Sequence, residues 1–151
     1  MQPIIQHAYQ HVTVATLDAV EQRIGRSIPA EYRAFLLEHN GGYPEPSDFE
    51  ITHRNGRVER ISMEWFFPVE IDGSLDLAKT LKTYQDRLPD EVFPFGCDPG
   101  GDLLGIVTHG DRAGQIWFWD HEEEAEEGEA PGWDNLYYVA PGFAAFLSGL
   151  T

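Results

Sequence analysis

The chain of 151 residues has the length of one domain, and its 42% hydrophobic content, with nine Phe, six Tyr and four Trp, supplies a core without disulfides or a structural metal. Ten Lys and Arg against 26 Asp and Glu give a net charge of −16 at pH 7. This balance disfavours nucleic acids and anionic membranes as direct partners, because both are recognised by clustered cations.

Cysteine usage and hydropathy indicate the cellular compartment in which such a protein functions. Cys97 is the only cysteine, so it has no partner for an intramolecular disulfide and no second thiol for a zinc site. The first residues lack the basic and apolar segments of a secretory signal, and no apolar run approaches the roughly 20 residues of a membrane span. We therefore expect a soluble, cytoplasmic protein.

Two short helices are predicted in the first third of the chain. Residues 1–12 show no periodic pattern and are expected to form a loosely docked arm. Apolar residues at three-to-four spacing predict one helix from a cap at Thr16 to Gly25, and a second from Pro29 to an Asn-Gly-Gly stop at residues 40–42.

The middle of the chain predicts a hairpin and a third helix. Asn55-Gly56 lies between two extended runs, which is the strongest local signal for a two-residue hairpin turn. Ser74 can cap a helix that continues to about Arg87, because apolar residues fall on one side of it and Pro89 closes it.

Three strands joined by glycine-rich turns follow, at residues 92–97, 103–107 and 115–120. A last strand is predicted at residues 135–139, and Pro141 opens a terminal helix. Together the elements predict an α+β class. We expect a single domain with a mainly antiparallel sheet of about five to six strands, helices from both termini and one helix between strands.

Seven acids and no Lys or Arg fall between Asp120 and Glu129. A run of like charges is typical of a solvated, self-repelling loop. The same run could instead steer a basic macromolecule toward the protein. Composition alone leaves both interpretations open.

Three segments together resemble the SUKH superfamily of bacterial immunity proteins, which is related to a yeast regulator of cell-wall synthesis. Residues 20–44 contain Ile-Gly, a Pro that opens the next helix, and a closing Asn-Gly-Gly. Residues 93–106 contain a strand, a Gly-Gly-Asp turn and a second strand. Residues 114–122 contain a glycine, an aromatic strand and Asp-His-Glu.

The resemblance implies an α+β domain that binds and neutralises a cognate toxin, often a nuclease or deaminase. A regulatory or scaffold module without a toxin partner is the alternative within the same superfamily. Either role is carried by a variable partner-facing surface. The toxin, the affinity and the oligomeric state are left open.

An enzyme or metal site would require Asp98, Asp102, Asp120 and His121 to converge. Turn chemistry explains the segment at residues 98–102 more simply, because Asp accepts backbone amides and Gly adopts positive φ. The Asp-Pro-Gly-Gly-Asp sequence also lacks the length of a calcium loop and the pattern of a phosphate cradle. We therefore predict no catalytic residues, no metal ligands and no cofactor.

The predicted partner-binding surface is instead negative, with aromatic anchors if Trp119 or Trp65 is exposed beside the acidic run. Its members share a position at or near the exit of the last central strand. They are Asp98, Asp102, Trp119, Asp120, His121, Glu122, Glu123, Glu124, Glu126, Glu127 and Glu129.

Overall fold

The computed structural model describes residues 2–151. Its helices are α1 (Val14–Ile24), α2 (Ala30–Glu38), α3 (Leu77–Tyr84) and α4 (Phe143–Ser148). Its strands are β1 (Ile4–Gln6), β2 (Tyr43–Glu45), β3 (Asp48–Thr52), β4 (Val58–Ser62), β5 (Trp65–Phe66), β6 (Val92–Cys97), β7 (Leu103–Val107), β8 (Ile116–Trp119) and β9 (Leu136–Ala140). The α+β class and the single domain are confirmed.

The large sheet has seven strands in the order β4-β3-β9-β8-β7-β6-β5, and β1 and β2 form a separate two-stranded sheet. All strand pairs are antiparallel. The prediction of five to six strands is therefore too low for residues 2–151. β1 and β2, which lie outside the large sheet, are three residues long, which is too short for a period-two pattern to be visible in the sequence.

The amino-terminal arm is tied to the domain by backbone pairing, contrary to the expectation of a loosely docked segment. Ile4, Ile5 and Gln6 pair with Glu45, Pro44 and Tyr43. Asn40, which is buried, donates its side-chain amide to the carbonyl oxygens of Gln10 and Val69 at 2.9 and 3.0 Å. It thereby joins the arm to the end of α2 and to the segment after β5.

Helix caps differ by a few residues from those predicted. α1 is capped by Thr13, whose hydroxyl accepts the Thr16 N–H, and not by Thr16. α3 is capped by Asp76, which accepts the Lys79 N–H at 3.2 Å, and not by Ser74. A carboxylate is favourable at this position because its negative charge also interacts with the positive end of the helix dipole.

The β3–β4 hairpin is present, but its turn has three residues and not two. His53 N–H donates to Arg57 O, and Gly56 N–H donates to His53 O. Gly56 has a φ of 86°. This is the type I turn followed by a left-handed residue that forms the common three-residue hairpin loop.

The core is built from aromatic rings that α2 and α4 pack against the sheet. Tyr32 and Phe35 of α2 contact Phe143 of α4 with ring centroids 5.7 and 5.6 Å apart. Phe95 of β6 lies 5.3 Å from Phe143. The buried Tyr32 hydroxyl donates to the Phe67 carbonyl oxygen at 2.6 Å, so its polar atom is satisfied.

β6, β7 and β8 confirm the three predicted central strands, with β6 and β7 at the predicted bounds. They lie inside the sheet and are almost fully buried. They therefore form a rigid support for the turns at their ends. Within residues 2–151, no helix is long and apolar enough to cross a membrane.

Candidate functional site

The turn between β6 and β7 is held by Asp98. Its Oδ1 accepts the backbone N–H groups of Gly100 and Asp102, both at 2.9 Å. Partial burial and the neighbouring Asp102 raise the pKa of Asp98 to about 6. Asp98 therefore acts as the turn residue that the sequence predicts, at the cost of a partly desolvated carboxylate.

Asp102 connects this turn to the segment that leaves β8. Its Oδ1 lies 2.6 Å from His121 Nδ1 and also accepts the His121 backbone N–H at 3.0 Å. The hydrogen bond to Asp102 raises the pKa of His121. The pair fixes the start of a 3₁₀ turn at His121–Glu123, which begins the acidic segment.

Asp120 lies next to the Asp102–His121 pair. Ligand atoms of Asp102, Asp120 and His121 lie within 4.8 Å of one another, so their arrangement could hold a metal ion. Asp120 Oδ1 accepts the Glu122 backbone N–H, however, and burial raises the pKa of Asp120. Asp98 and Asp120 each accept a backbone amide two residues ahead, which is local turn chemistry, whereas Asp102 accepts the amide of His121, 19 residues away, and so joins two segments.

The acidic loop, residues 120–130, is anchored at two points and is not wholly a solvated run. Arg87 donates Nε and Nη2 to the two carboxylate oxygens of Glu124, at 3.0 and 2.7 Å. The Tyr137 hydroxyl donates to Glu123 at 2.7 Å, and burial with this carboxylate raises the pKa of Tyr137 to about 12. Beyond Glu124 the remaining acids are exposed.

The acidic loop closes one side of a cleft of about 610 Å³ at the end of α3. We call this the acidic cleft. Its ionisable lining residues are Asp86, Arg87, Glu124, Glu126, Glu127 and Glu129. Five carboxylates thus face one guanidinium, which is already paired with Glu124.

A neighbouring depression of about 700 Å³ shares Asp86 and Glu129 with the acidic cleft and contains Trp133. The half-buried indole of Trp133 donates to Glu91 at 2.9 Å, and the Arg112 guanidinium lies 4.4 Å from its ring centre. Trp133 was not predicted as an aromatic residue at the acidic surface. Its position three residues after the acidic loop was the available signal.

The family model for the SMI1 / KNR4 family (SUKH-1) matches residues 11–149. The chain belongs to this family. A SUKH-1 relative is the SPbeta prophage-derived uncharacterized protein YokK of Bacillus subtilis (strain 168), which is 27% identical over 148 residues, covering 89% of this chain and 72% of the relative.

The SUKH-1 segments recognised in the sequence occupy defined places in the fold. Residues 20–44 form the end of α1, all of α2 and the start of β2, and residues 93–106 form most of the β6–β7 hairpin. Residues 114–122 are β8 and the start of the 3₁₀ turn. The last two segments therefore meet at the Asp102–His121 pair.

Trp119 is not an exposed anchor, and its expected place on the partner-binding surface is wrong. Its side chain is 1% exposed and packs edge-on against Tyr84 with ring centroids 5.6 Å apart. Trp65 is half-buried. The partly exposed aromatic at the acidic surface is Trp133, whereas β8 directs Trp119 toward Tyr84 of α3.

Proposed function

We propose that this SUKH-1 protein is an immunity-type protein that binds a basic intracellular toxin one to one and blocks its active site by occlusion. The observation that carries the proposal is the acidic cleft, in which five carboxylates face one already paired guanidinium. The protein as a whole is also negative, with a net charge of −16. Family membership supports a role in protein recognition.

A nuclease or deaminase is the class of toxin that the cleft fits. Enzymes that handle nucleic acids carry cationic surfaces for phosphates. A row of carboxylates can occupy such a surface and accept its Lys and Arg side chains. Such ion pairs stabilise the complex only where each buried charge finds a partner, so part of the loop's charge serves to speed association.

The acidic cleft is suited to occlusion because one of its acids is held in place and the others are exposed. Glu124 is held by Arg87, which gives the cleft a fixed wall. Glu126, Glu127 and Glu129 are exposed and free to adapt to a partner. Trp133 adds a partly exposed aromatic of the kind that is enriched at interface hot spots.

A binding role, and not a catalytic one, is the simplest for the cluster formed by Asp98, Asp102, Asp120 and His121. Asp98, Asp102 and Asp120 each accept a backbone amide. Burial raises the pKa of the Cys97 thiol to about 12, so this thiol is not an activated nucleophile. We therefore propose that the protein acts by binding, in the cytoplasm, and not as an enzyme.

Coexpression with the product of the adjacent gene tests the proposal. We expect protection of the host from that product and a one-to-one complex that is retained at low salt and weakened at high salt. No protection together with no complex at low salt would remove the immunity role. A complex without toxicity would instead favour the regulatory or scaffold alternative.

A further inference from the structure

A second charged surface lies in a groove between α1 and α3. The groove has a volume of about 810 Å³ and an aliphatic floor that includes Ile24, Ile71 and Leu81. Four of the ten Lys and Arg residues of the chain line it, namely Arg23, Arg26, Lys79 and Lys82. We call it the cationic groove.

Two of these four cations have a carboxylate close by, and the two lysines have no ion-pair partner within the described residues. Arg23 pairs with Glu70 at 2.7 Å. Arg26 donates to the Asp90 carbonyl oxygen at 3.2 Å and lies 4.9 Å from the Phe93 ring centre, and burial lowers its pKa. Within residues 2–151, Lys79 and Lys82 form no ion pair.

Three carboxylates also line the groove, so its cations outnumber its carboxylates by one. Asp76 is buried and accepts the backbone N–H groups of Lys79 and Ile71. Glu70 is the partner of Arg23. Asp72 is exposed at the margin. Lys79 and Lys82 therefore present cations to whatever approaches α3.

The cationic groove is continuous with the acidic cleft. Gln85 lines the groove and the depression that contains Trp133. Asp86, the next residue, lines that depression and the acidic cleft. The surface therefore changes from positive to negative at the carboxyl end of α3, within two neighbouring residues.

We propose that two copies of this chain associate through this surface, with the acidic loop of each copy in the cationic groove of the other. A two-fold axis near Gln85 brings the positive half of each copy onto the negative half of its partner. Closed dimers of this kind require a self-complementary patch, and each contact is then made twice.

A second copy fits the groove better than a nucleic acid does. Neither the floor nor the rim has an aromatic ring on which a base could stack, and the net charge of −16 opposes a polyanion. A partner that binds in the groove needs a few carboxylates on an exposed segment. Glu126, Glu127 and Glu129 of a second copy meet this requirement.

Repulsion between two negative molecules limits the strength of this dimer but does not prevent it. Charges in solution are screened beyond about 8 Å at physiological salt, whereas the groove and loop charges meet at contact distance. We expect weak, reversible association. The dimer would cover the loop that faces a toxin, so a toxin would compete with it, but the dimer itself does not depend on any toxin.

Two charge-reversed variants test the pairing by sedimentation velocity over a range of concentrations. Lys79→Glu/Lys82→Glu and Glu126→Lys/Glu127→Lys alter exposed side chains. Each variant alone should dimerise at least about tenfold more weakly than the wild-type protein, because attraction becomes repulsion. An equimolar mixture should recover the dimer, because both contacts become complementary again.

Three results would overturn the proposal: a wild-type protein that stays monomeric up to about 1 mM, variants that dimerise as the wild type does, or a mixture that stays monomeric. Circular dichroism of each variant confirms folding. The neutral pairs Lys79→Gln/Lys82→Gln and Glu126→Gln/Glu127→Gln replace any variant that does not fold. They should weaken the dimer less than the reversals do.

Discussion

Arg87 and Glu124 form a two-point ion pair that joins the segment after α3 to the acidic loop. Both nitrogen–oxygen contacts are 3.0 Å or shorter. The same guanidinium lies 4.6 Å from the ring centre of Tyr84 and 5.5 Å from that of Trp119. One side chain therefore links the core to a loop that would otherwise repel itself.

Replacing Arg87 by Ala should release the loop. A partly exposed pair of this kind contributes about 1 kcal/mol, so the melting temperature should fall by about 2–4 °C. A glutamate-specific protease should cut the loop faster than in the wild-type protein. Arg57→Ala is the control, because it removes the same charge from the exposed β3–β4 turn. Equal cleavage rates in all three proteins would show that Arg87 does not hold the loop.

The Asp98 carboxylate should lower stability at neutral pH. Its folded pKa of about 6 exceeds the unfolded value of about 3.9, so the folded state binds the proton more tightly. The unfolding free energy therefore falls as the pH rises from about 4 to 6 and stays lower above that range. Asp98→Asn keeps an oxygen for the two amides and removes the charge.

Thermal unfolding at two pH values measures this effect. Asp98→Asn should melt about 2–4 °C above the wild-type protein at pH 7.5, and the difference should shrink toward pH 4. His121→Gln is the control. Because the pKa of His121 is raised in the folded state, this residue adds to the unfolding free energy below about pH 6.5, and this stabilisation is lost as the pH rises further. A lower melting temperature for Asp98→Asn at pH 7.5 would contradict the prediction.

The sequence predicts the central sheet well because its signals are local. β6 and β7 have the predicted bounds, since aromatic and β-branched runs end at glycine-rich turns. The turn role of Asp98 was also predicted, because Asp can accept a backbone amide two residues ahead, and Asp120 follows the same local rule although it was predicted only as a binding residue. Such features depend only on neighbours in the chain.

Features that depend on distant residues were not predictable in the same way. The pairing of Glu124 with Arg87 joins residues 37 positions apart. β1 is a strand because it pairs with β2, which lies almost 40 residues further along the chain. The burial of Trp119 depends on Tyr84 of α3. The sequence around each residue does not contain these contacts, so Trp119 and Trp65 were the candidate exposed aromatics and Trp133 was not.

Replacing Trp119 by Ala should act on stability, because the ring is buried and leaves a cavity. The expected loss is about 3–5 kcal/mol of unfolding free energy, measured by urea denaturation. Trp133→Ala is the matched variant, because this ring is half-buried and lies at the acidic surface. It should cost less stability. Equal losses for the two variants would contradict the assignment of Trp119 to the core and Trp133 to the surface.

Neutralising the exposed acids of the cleft should slow association with a basic partner. The variant Glu126→Gln/Glu127→Gln/Glu129→Gln leaves the Arg87–Glu124 pair intact. Its association rate at low salt should fall about three- to tenfold, with a weaker salt dependence and little change in melting temperature, because exposed charges act mainly through steering. The control Glu31→Gln/Glu38→Gln/Glu50→Gln makes the same charge change at exposed positions on α2 and β3. Stopped-flow association should separate the two triple variants. Equal slowing by both would assign the effect to net charge and remove the acidic cleft from the interface.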